Sequence, residues 1–299
     1  MQIVACTPDM SSGLVELYNS VAPGLPHCYP ATEADMAGVL AELTRATAPD
    51  DSLVSQAAFA ARKRDRLIGL IHVGIEPQKQ AEDAGQGIIR SFLYRPGLRA
   101  AAQSLLERAE AHLFDLGVKR ITAFHQDYRY PFYHMGHAYL SDRLGHVHAL
   151  MGLNGYERTA GEVYLDWPDY KPREPMPSPV QVEVSVQTCD GKGTRPGLTI
   201  LAHSGGELVG ECVNLSGGEF SGAEQAQDWF LTKWLGVAES FQGKGLGRYL
   251  LQRALNELHA IGYKHAAIST SWTNFRAALF YSNFGYHVVD WTYALAREA

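Results

Sequence analysis

Two clusters of residues in the C-terminal third of the chain have the types and the spacing to do chemistry. The first is the run QGKGLG at 242–247, which lies between a predicted strand and a predicted helix. The first N–H groups of a helix lack partners within it and lie at the positive end of its dipole, so they favour an anion such as a phosphate. Glycine lets the backbone approach that anion without an intervening Cβ atom. The second cluster is Asn274 and Tyr281, which are seven residues apart and therefore share one face of a helix.

The glycine spacing excludes two common nucleotide-binding motifs. The dinucleotide-binding fingerprint is G-x-G-x-x-G, whereas Gly243, Gly245 and Gly247 form G-x-G-x-G. The phosphate loop of nucleotide hydrolases, G-x-x-x-x-G-K-[ST], does not occur in the sequence. The loop therefore needs another interpretation.

Both clusters resemble motifs of the GCN5-related N-acetyltransferase (GNAT) family. Residues 242–247 match Q-x-x-G-x-G, with Val237 five residues before the glutamine, as in the loop that binds the pyrophosphate of acetyl-CoA in that family. Residues 274–286 match the family pattern N-x-x-A-x-x-x-Y-x-x-x-G-[FY] at every position. The resemblance covers about residues 180–299 and implies an acetyl-CoA-dependent acyltransferase.

The resemblance also implies a role for the matching residues. The loop would hold the pyrophosphate through its N–H groups, and the Val237 backbone would donate to the thioester oxygen as negative charge develops there. Asn274 would bind the pantetheine arm, and Tyr281 would be the catalytic residue that hydrogen-bonds or protonates the departing sulfur. No metal site is predicted. The predicted cofactor-binding residues are Leu235, Gly236, Val237, Gln242, Gly243, Lys244, Gly245, Leu246, Gly247, Arg248, Asn274, Ala277 and Tyr281.

The sequence does not identify a general base. Many family members place a Glu or His six or four residues before the valine, and those positions are Leu231 and Lys233 here. Because no cysteine lies in the motifs, direct attack by an amine is favoured over an acyl-enzyme. A water chain would serve as the base, and the candidate side chains are Asp228, Glu239, Glu219, His134 and His137.

Strands and helices in the second half must position these motifs. Aromatic and β-branched residues predict a strand over 230–237, and apolar residues at helical spacing predict a helix that runs from 246 and ends before Gly262. Further strands are predicted over 180–187, 198–203, 207–214 and 263–270.

The first half repeats this succession and adds two helices. A shift of 145 residues aligns Leu105 with Leu250 and Gly117 with Gly262, which indicates one strand–helix–strand unit written twice. Predicted strands lie at 2–7, 56–62, 67–75, 88–94, 119–124 and 162–167, a loop at 78–87, and helices at 12–21, 32–47 and 98–116.

The repeat predicts that the first half is a degenerate GNAT-like domain. In this register the last two glycines of the loop fall on Ala100 and Ala102, and its glutamine falls on Gly97. Methyl groups then stand where phosphate oxygens would approach the backbone, and the Asn-plus-Tyr pattern is missing. A domain kept for its structure is favoured, and a second CoA site that uses Arg95 and Arg99 is the alternative.

The segment 125–155 departs from the repeat and is rich in His and Tyr. His134-x-x-His137 and His146-x-His148 allow a metal site, which is disfavoured because few carboxylates and no cysteine lie nearby in the sequence. A partly buried aromatic insertion, or a lid over an acceptor pocket, is favoured instead.

Composition predicts a soluble globular protein of the cytoplasm. The chain has 299 residues, of which 46% are hydrophobic and 19% are charged, and it shows neither a signal peptide nor an apolar run of membrane-spanning length. Its four cysteines are scattered, which is typical of reduced packing residues. A formal net charge of −6 disfavours a nucleic-acid partner.

Prolines divide the chain into two predicted domains. Five prolines within 168–179 predict a stiff linker. The prediction is therefore a degenerate GNAT-like domain at 1–167, the linker at 168–179, and a catalytic GNAT domain at 180–299. The predicted fold class is α/β (α+β), with a mixed, mostly antiparallel sheet flanked by helices in each domain.

The second half has no room for helices between its first two strands. In the GNAT family two such helices form one wall of the acceptor groove. Their absence predicts that the first half closes the groove in an intramolecular pseudo-dimer, so that the protein is a monomer, and an open site is the alternative. The predicted partner is a small-molecule or peptide amine, with no membrane or nucleic acid.

The functional prediction is an acetyl-CoA-dependent N-acetyltransferase that moves an acetyl group to a primary amine by direct attack on the thioester. A non-catalytic CoA-binding or interaction protein, and a transferase of a longer acyl group, are the alternatives. The motifs name no acceptor.

Overall fold

The computed structural model describes residues 1–43, 53–77, 85–136 and 139–298. They form two compact units, a first unit of Met1–Glu162 with Asp290–Ala299 and a second unit of Val163–Val289. These bounds differ from the predicted domains, since the last ten residues belong to the first unit and the proline-rich segment belongs to the second. The domain bounds 1–167 and 180–299 stay a prediction.

The first half of the chain contains the following helices and strands. They are β1 (Gln2–Ala5), α1 (Ser11–Asn19), α2 (Glu33–Glu42), β2 (Val54–Lys63), β3 (Arg66–Ile75), β4 (Gly87–Tyr94), α3 (Arg99–Asp115), β5 (Arg120–Ala123), β6 (Leu140–Ser141), α4 (Gly145–Leu153) and β7 (Glu157–Trp167).

The second half continues the order. Its elements are β8 (Glu183–Cys189), β9 (Gly197–Ser204), β10 (Glu207–Ser216), α5 (Glu224–Gln227), β11 (Trp229–Val237), α6 (Leu246–Ala260), β12 (His265–Ser271), α7 (Phe275–Ser282) and β13 (His287–Glu298).

The sheet of the first unit is mostly antiparallel and is covered on both faces. Its strand order is β1-β2-β3-β4-β5-β13, with β6 paired to β13, and β4 and β5 are its parallel pair. Residues 69–74 of the central strand β3 are all buried in succession. A strand buried without alternation is packed on both sides.

The second unit has the same strand succession with one face packed. Its order is β12-β11-β10-β9-β8, and β11 and β12 are parallel. In β9, Leu198, Ile200 and Ala202 are buried in one core with α6, whereas the alternate residues 199, 201 and 203 are more exposed. The strands β8 and β9 are joined by residues 190–196 alone, so the predicted absence of helices there is confirmed.

The predicted fold class is confirmed, and most predicted elements lie within a few residues of their observed bounds. The capping box that opens α2 is present, with the Thr32 hydroxyl oxygen accepting from the Asp35 N–H and the Asp35 carboxylate accepting from the Thr32 N–H. Residues 44–47 of the predicted helix, and most of the predicted loop 78–87, lie outside the described residues.

Four elements were not predicted from the sequence: β6, α4, α5 and β13. The Gly155-Tyr156 pair that follows α4 repeats the Gly285-Tyr286 pair that follows α7. That echo could have located α4 inside the His/Tyr-rich segment.

The proline-rich segment packs on the second unit. The buried Tyr170 donates its hydroxyl hydrogen to the Leu255 carbonyl at 3.1 Å, and Arg173 donates to the Asn283 carbonyl at 2.8 Å. Within the described parts of the chain, no helix combines the length and the apolarity needed to cross a membrane.

Candidate functional site

The glycine loop of the second unit adopts a backbone that requires glycine. Gly243 has φ of 73° and Gly245 has φ of 88°, a left-handed region that other residues avoid. Gly245 is the N-cap of α6, so the free N–H groups of the first turn of α6 follow it directly. The sequence placed these glycines at a helix start, and the structure has them there.

Gln242 ties the loop to the end of β11. Its side-chain Nε2 donates to the Val237 carbonyl at 3.0 Å. At Gly247, an added Cβ would lie 3.5 Å from Val237 Cγ2, an ordinary contact, so the first turn of α6 has room for a methyl group beside the strand.

The parallel strands β11 and β12 separate beside this loop. Their pairing ends at Thr232 and Ile268, whereas β11 runs on to Val237 with β10 alone as its partner. The Ala238 N–H bonds to the Val209 carbonyl on the β10 side. Because N–H directions alternate along a strand, the Val237 N–H points the other way, into the gap between β11 and β12.

A buried asparagine stabilises the point where the strands part. The β10–β11 register shifts between Val213 and Asn214, which leaves Lys233 as the extra residue of a β-bulge. Asn214 is fully buried, donates to the Leu198 carbonyl at 3.2 Å and accepts from the Thr232 hydroxyl at 2.8 Å. The bulge therefore has a buried polar anchor.

The gap opens into a cleft of about 450 Å³. This size lies in the usual range for small-molecule and cofactor sites. It brings together eleven predicted residues, whereas Gly236 and Lys244 do not line it. The lining residues are Leu235, Val237, Phe241, Gln242, Gly243, Gly245, Leu246, Gly247, Arg248, Asn274, Arg276, Ala277, Phe280 and Tyr281.

The helix α7 supplies the other wall of the cleft. Asn274 is its N-cap, and its side-chain oxygen accepts from the Ala277 N–H at 3.1 Å, which leaves the amide nitrogen available for a ligand. Tyr281 lies two turns further along and is 7% exposed. Burial, and secondarily the nearby Cys212, raise the pKa of Tyr281 above its ordinary value, so its phenol keeps its proton at neutral pH.

Two arginines bring positive charge to the cleft. Arg248 lies in the first turn of α6 and Arg276 in the first turn of α7, and both line the cleft. Among the described residues neither has a carboxylate partner. Arg276, Phe241 and Phe280 line the cleft and were not among the predicted site residues. The available signal for Arg276 was its position two residues after Asn274, a predicted cofactor-binding residue.

The candidate bases of the second unit are mostly engaged elsewhere. Asp228 contacts Lys264 at 2.6 Å and Arg195 at 3.0 Å, and its hydrogen bond from Lys264 is the main cause that lowers its pKa. Glu219 accepts from the Lys192 N–H at 2.8 Å. Leu231 is buried and Lys233 is exposed. Glu239 is exposed just beyond β11 and stays a candidate.

The histidine candidates belong to the first unit. His134 is fully buried, and burial lowers its pKa to about 3, so it is not poised to exchange protons near neutral pH. His137 lies outside the described residues. The Nε2 atoms of His146 and His148 contact the carbonyls of Tyr94 and Ser141 respectively.

The gap equivalent to the cleft is closed in the first unit. The pairing of β4 with β5 ends at Ile89 and Ala123, as in the second unit, and β4 then continues to Tyr94. There His146 Nε2 donates to the Tyr94 carbonyl at 2.9 Å, and the Tyr94 hydroxyl donates to the His146 carbonyl at 2.6 Å. The strand end is thus occupied by a residue of α4.

Fold and site define an α/β protein with a cleft between diverging parallel strands, closed by a glycine-rich helix start. A family model described as an acetyltransferase (GNAT) domain matches residues 195–288. Residues 195–288 of the second unit therefore match a GNAT domain, and the chain as a whole has the tandem GNAT fold.

Solved structures support the fold over nearly the whole length. A tandem GNAT protein from the clavulanic acid biosynthesis pathway superimposes with a TM-score of 0.72, 12% identity, and coverage of 99% of this chain and 98% of that one. A GNAT from Sphaerobacter thermophilus gives a TM-score of 0.60, 14% identity, and coverage of 99% and 95%.

A third similar structure belongs to a larger protein. It is the GCN5-related glucosamine N-acetyltransferase region of a fungal multi-domain β-N-acetylglucosaminidase, with a TM-score of 0.68 and 12% identity. The match covers 99% of this chain and 38% of that one. These TM-scores establish a shared fold. A search of curated protein sequences found no match.

Proposed function

We propose that the second unit is an acetyl-CoA-dependent N-acetyltransferase that moves an acetyl group to a primary amine. The observation that carries the proposal is the cleft itself, in which the glycine loop, the edge of β11 and Tyr281 meet. Bound acetyl-CoA would supply an acetyl group activated as a thioester.

The residues of the cleft fit the anionic part of that cofactor. The N–H groups at the start of α6 lack partners within the helix, and Gly243 and Gly245 let a pyrophosphate come close to them. Arg248 and Arg276 would balance phosphate charge, and Asn274 would contact the pantetheine arm. Charge-assisted hydrogen bonds of this kind are about twice as strong as neutral ones.

Two groups would act on the reacting thioester. The Val237 N–H points into the gap and would donate to the carbonyl oxygen as it gains negative charge. The phenol of Tyr281, protonated at neutral pH, would donate its proton to the departing sulfur. A thiolate with a basicity like that of free Cys, about 8.5, leaves readily, so Tyr281 assists its departure.

Direct attack by the amine fits the absence of a thiol in the cleft. Among the residues that the structure describes, no cysteine lines the cleft, and Cys212 is fully buried. A lysine-like amine with a pKa of about 10.4 is neutral in about one molecule in two thousand at pH 7, so a base must take its proton. We propose Glu239 or a water chain for this step.

We further propose that the first unit does not bind acetyl-CoA. His146 occupies the strand end that the cofactor would need, and Ala102 is buried in the first turns of α3. The glucosamine N-acetyltransferase region with a similar fold makes a cationic amine a reasonable acceptor class. The monomeric state, the pseudo-dimer and the cytoplasmic location stay predictions.

Isothermal titration of acetyl-CoA into the wild type and into a Gly245→Glu/Gly247→Glu variant tests the proposal. We expect one site per chain in the wild type and none in the variant, because the added carboxylates repel the pyrophosphate. Circular dichroism of the variant checks that it is folded. Thiol release with a panel of amines then tests for turnover.

Each other outcome has a distinct meaning. Two sites in the wild type would show that the first unit is a CoA domain after all. Binding without turnover on any amine would favour a non-catalytic CoA-binding protein. No binding by the wild type would end the acyltransferase proposal.

A further inference from the structure

The face of the second-unit sheet that lies opposite α6 carries two residues, Trp234 and Glu211, that have no structural role in the fold. In β11 the side chains of Leu235 and Val237 line the cleft, so Trp234 and Gly236 point to the opposite face. That is the face on which β9 and β10 are only partly buried. Pairing of β11 with β12 ends at Thr232, so the free edge of β11 beyond that residue borders this face as well as the cleft.

Trp234 lies flat along its own strand. It is 56% exposed, and a Cβ on Gly236 would lie 2.6 Å from the indole Nε1, so the ring occupies the space above that glycine. Because Gly236 has no side chain, the indole ring lies over it and presents its other π-face to solvent. Such a face attracts cations.

Glu211 stands beside this ring. In the β10–β11 register it is directly opposite Gly236, and on its other side it is opposite Leu201. Cross-strand partners share a face with Cβ atoms roughly 5 Å apart, which places the carboxylate next to the indole above Gly236. Glu211 is half-buried and makes no hydrogen bond or ion pair with the described residues.

A half-buried carboxylate usually has a hydrogen-bond donor or a cation beside it that offsets the loss of water, and Glu211 has neither among the described residues. Partial loss of water raises the free energy of the charge, and a cation restores it. Lys233, the exposed bulge residue, is close in sequence, but the structure gives it no ion pair with Glu211. A carboxylate beside an aromatic face is a site suited to an alkylammonium group.

We propose that Glu211 and Trp234 form a subsite for a second cationic group of the acceptor. This rests on the proposed function, since the reacting amine must lie at the far edge of β11. Adjacent strands are about 4.8 Å apart, so the two nitrogens would be separated by roughly one to two strand spacings. The acceptor class is therefore a short diamine or an amine with a cation at that distance.

Binding of two matched probes tests the subsite. Isothermal titration of 1,4-diaminobutane and of 1-aminobutane into CoA-saturated protein compares two amines of equal chain length and different charge. We expect the wild type to bind the diamine at least about tenfold more tightly, and Glu211→Gln or Trp234→Leu to abolish the difference. Glu207→Gln, an exposed carboxylate at the start of the same strand, should leave it intact.

The outcomes separate this proposal from the one on which it rests. Failure of CoA itself to bind overturns the proposed function. Normal CoA binding with equal affinity for both amines, or a preference that survives Glu211→Gln, overturns the subsite alone. Steady-state thiol release adds a second readout, in which Glu211→Gln should raise the KM for the diamine and leave the KM for the monoamine unchanged.

Discussion

At the scale of single residues, the cleft depends on groups whose protonation or hydrogen bonding is set by burial. Tyr281 is the clearest case. Its ring packs against Phe280 and Tyr286 at centroid distances of 5.3 Å and 6.0 Å, while the residue still lines the cleft. The packed-aromatic interpretation and the functional one are therefore both compatible with its position, and they differ in what the hydroxyl does.

Replacing Tyr281 by Phe separates the two roles. The ring packing is kept and the proton donor is lost, so we expect kcat to fall by about tenfold to a hundredfold while acetyl-CoA binds as before. Steady-state thiol release and isothermal titration measure the two effects. An unchanged kcat would assign Tyr281 to packing.

Asn214 is a residue whose role only the structure reveals. Asn214→Ala would leave the Thr232 hydroxyl and the Leu198 carbonyl without their partner in a buried site. We expect the free energy of unfolding to fall by about 1–3 kcal/mol.

Urea unfolding of Asn214→Ala and of a control, Asn256→Ala, measures that cost. Asn256 is less buried and contacts Gln252, so its loss should cost less than about 1 kcal/mol. Equal costs for the two variants would contradict the role of Asn214 as the anchor of the bulge.

At the scale of elements, the turn from β11 into α6 needs glycine for two reasons, a left-handed backbone at one position and free space in the cleft at another. The sequence motif treats its glycines alike, whereas the structure distinguishes them. Gly245 has a left-handed backbone, and an added Cβ would lie 3.2 Å from Pro179 Cγ. Gly247 has no such backbone demand and faces the cleft.

Single alanine substitutions should reproduce that distinction. Gly245→Ala should lower the free energy of unfolding by about 1–2 kcal/mol, because a residue with a Cβ is strained in the left-handed region. Gly247→Ala should keep wild-type stability and weaken acetyl-CoA binding through the methyl group in the cleft. Urea unfolding and titration distinguish the two, and the reverse pattern would contradict this assignment.

The His/Tyr-rich segment shows how an element can be hidden from sequence patterns. Its helix α4 begins at a glycine and contains two further interior positions that favour other structures, Val147 and Gly152. It forms because Val147, Leu150 and Met151 are buried against the first-unit core. Tertiary packing there outweighs weak local propensity.

At the scale of the whole molecule, buried histidines link the stability of the chain to pH. His72 is fully buried between Tyr130 and Gln56, and burial lowers its pKa well below 6.5. His134 behaves alike. Since the unfolded chain binds these protons and the folded one does not, their contribution to stability is present above about pH 6.5 and is lost as the pH falls.

We therefore expect the free energy of unfolding to decrease between pH 7 and pH 5. The raised pKa of Asp290 acts with the opposite sign, because the folded state then holds the extra proton. Urea unfolding of His72→Gln should show a shallower decrease than the wild type. The exposed His287 provides the control, and a slope unaffected by His72→Gln would exclude this origin.

The sequence by itself determined the local parts of this protein. The spacing of Gln242, Gly243, Gly245 and Gly247 specified a helix start with a glycine-dependent backbone, because these preferences act within a few residues of the chain. The same holds for most strands of both halves. The 145-residue repeat predicted the tandem fold because two similar stretches of sequence encode the same strand–helix–strand unit.

Only the tertiary structure decided which distant residues meet. The cleft joins β11 to Arg276 and Phe280 of α7, the bulge is anchored by Asn214 on another strand, and the end of β4 is closed by His146. Strand register, crossover and burial bring these residues together over separations that no local pattern encodes. That is why the chemistry of the motif could be predicted from the sequence. Arg276, the candidate acceptor subsite and the closed first-unit gap could not.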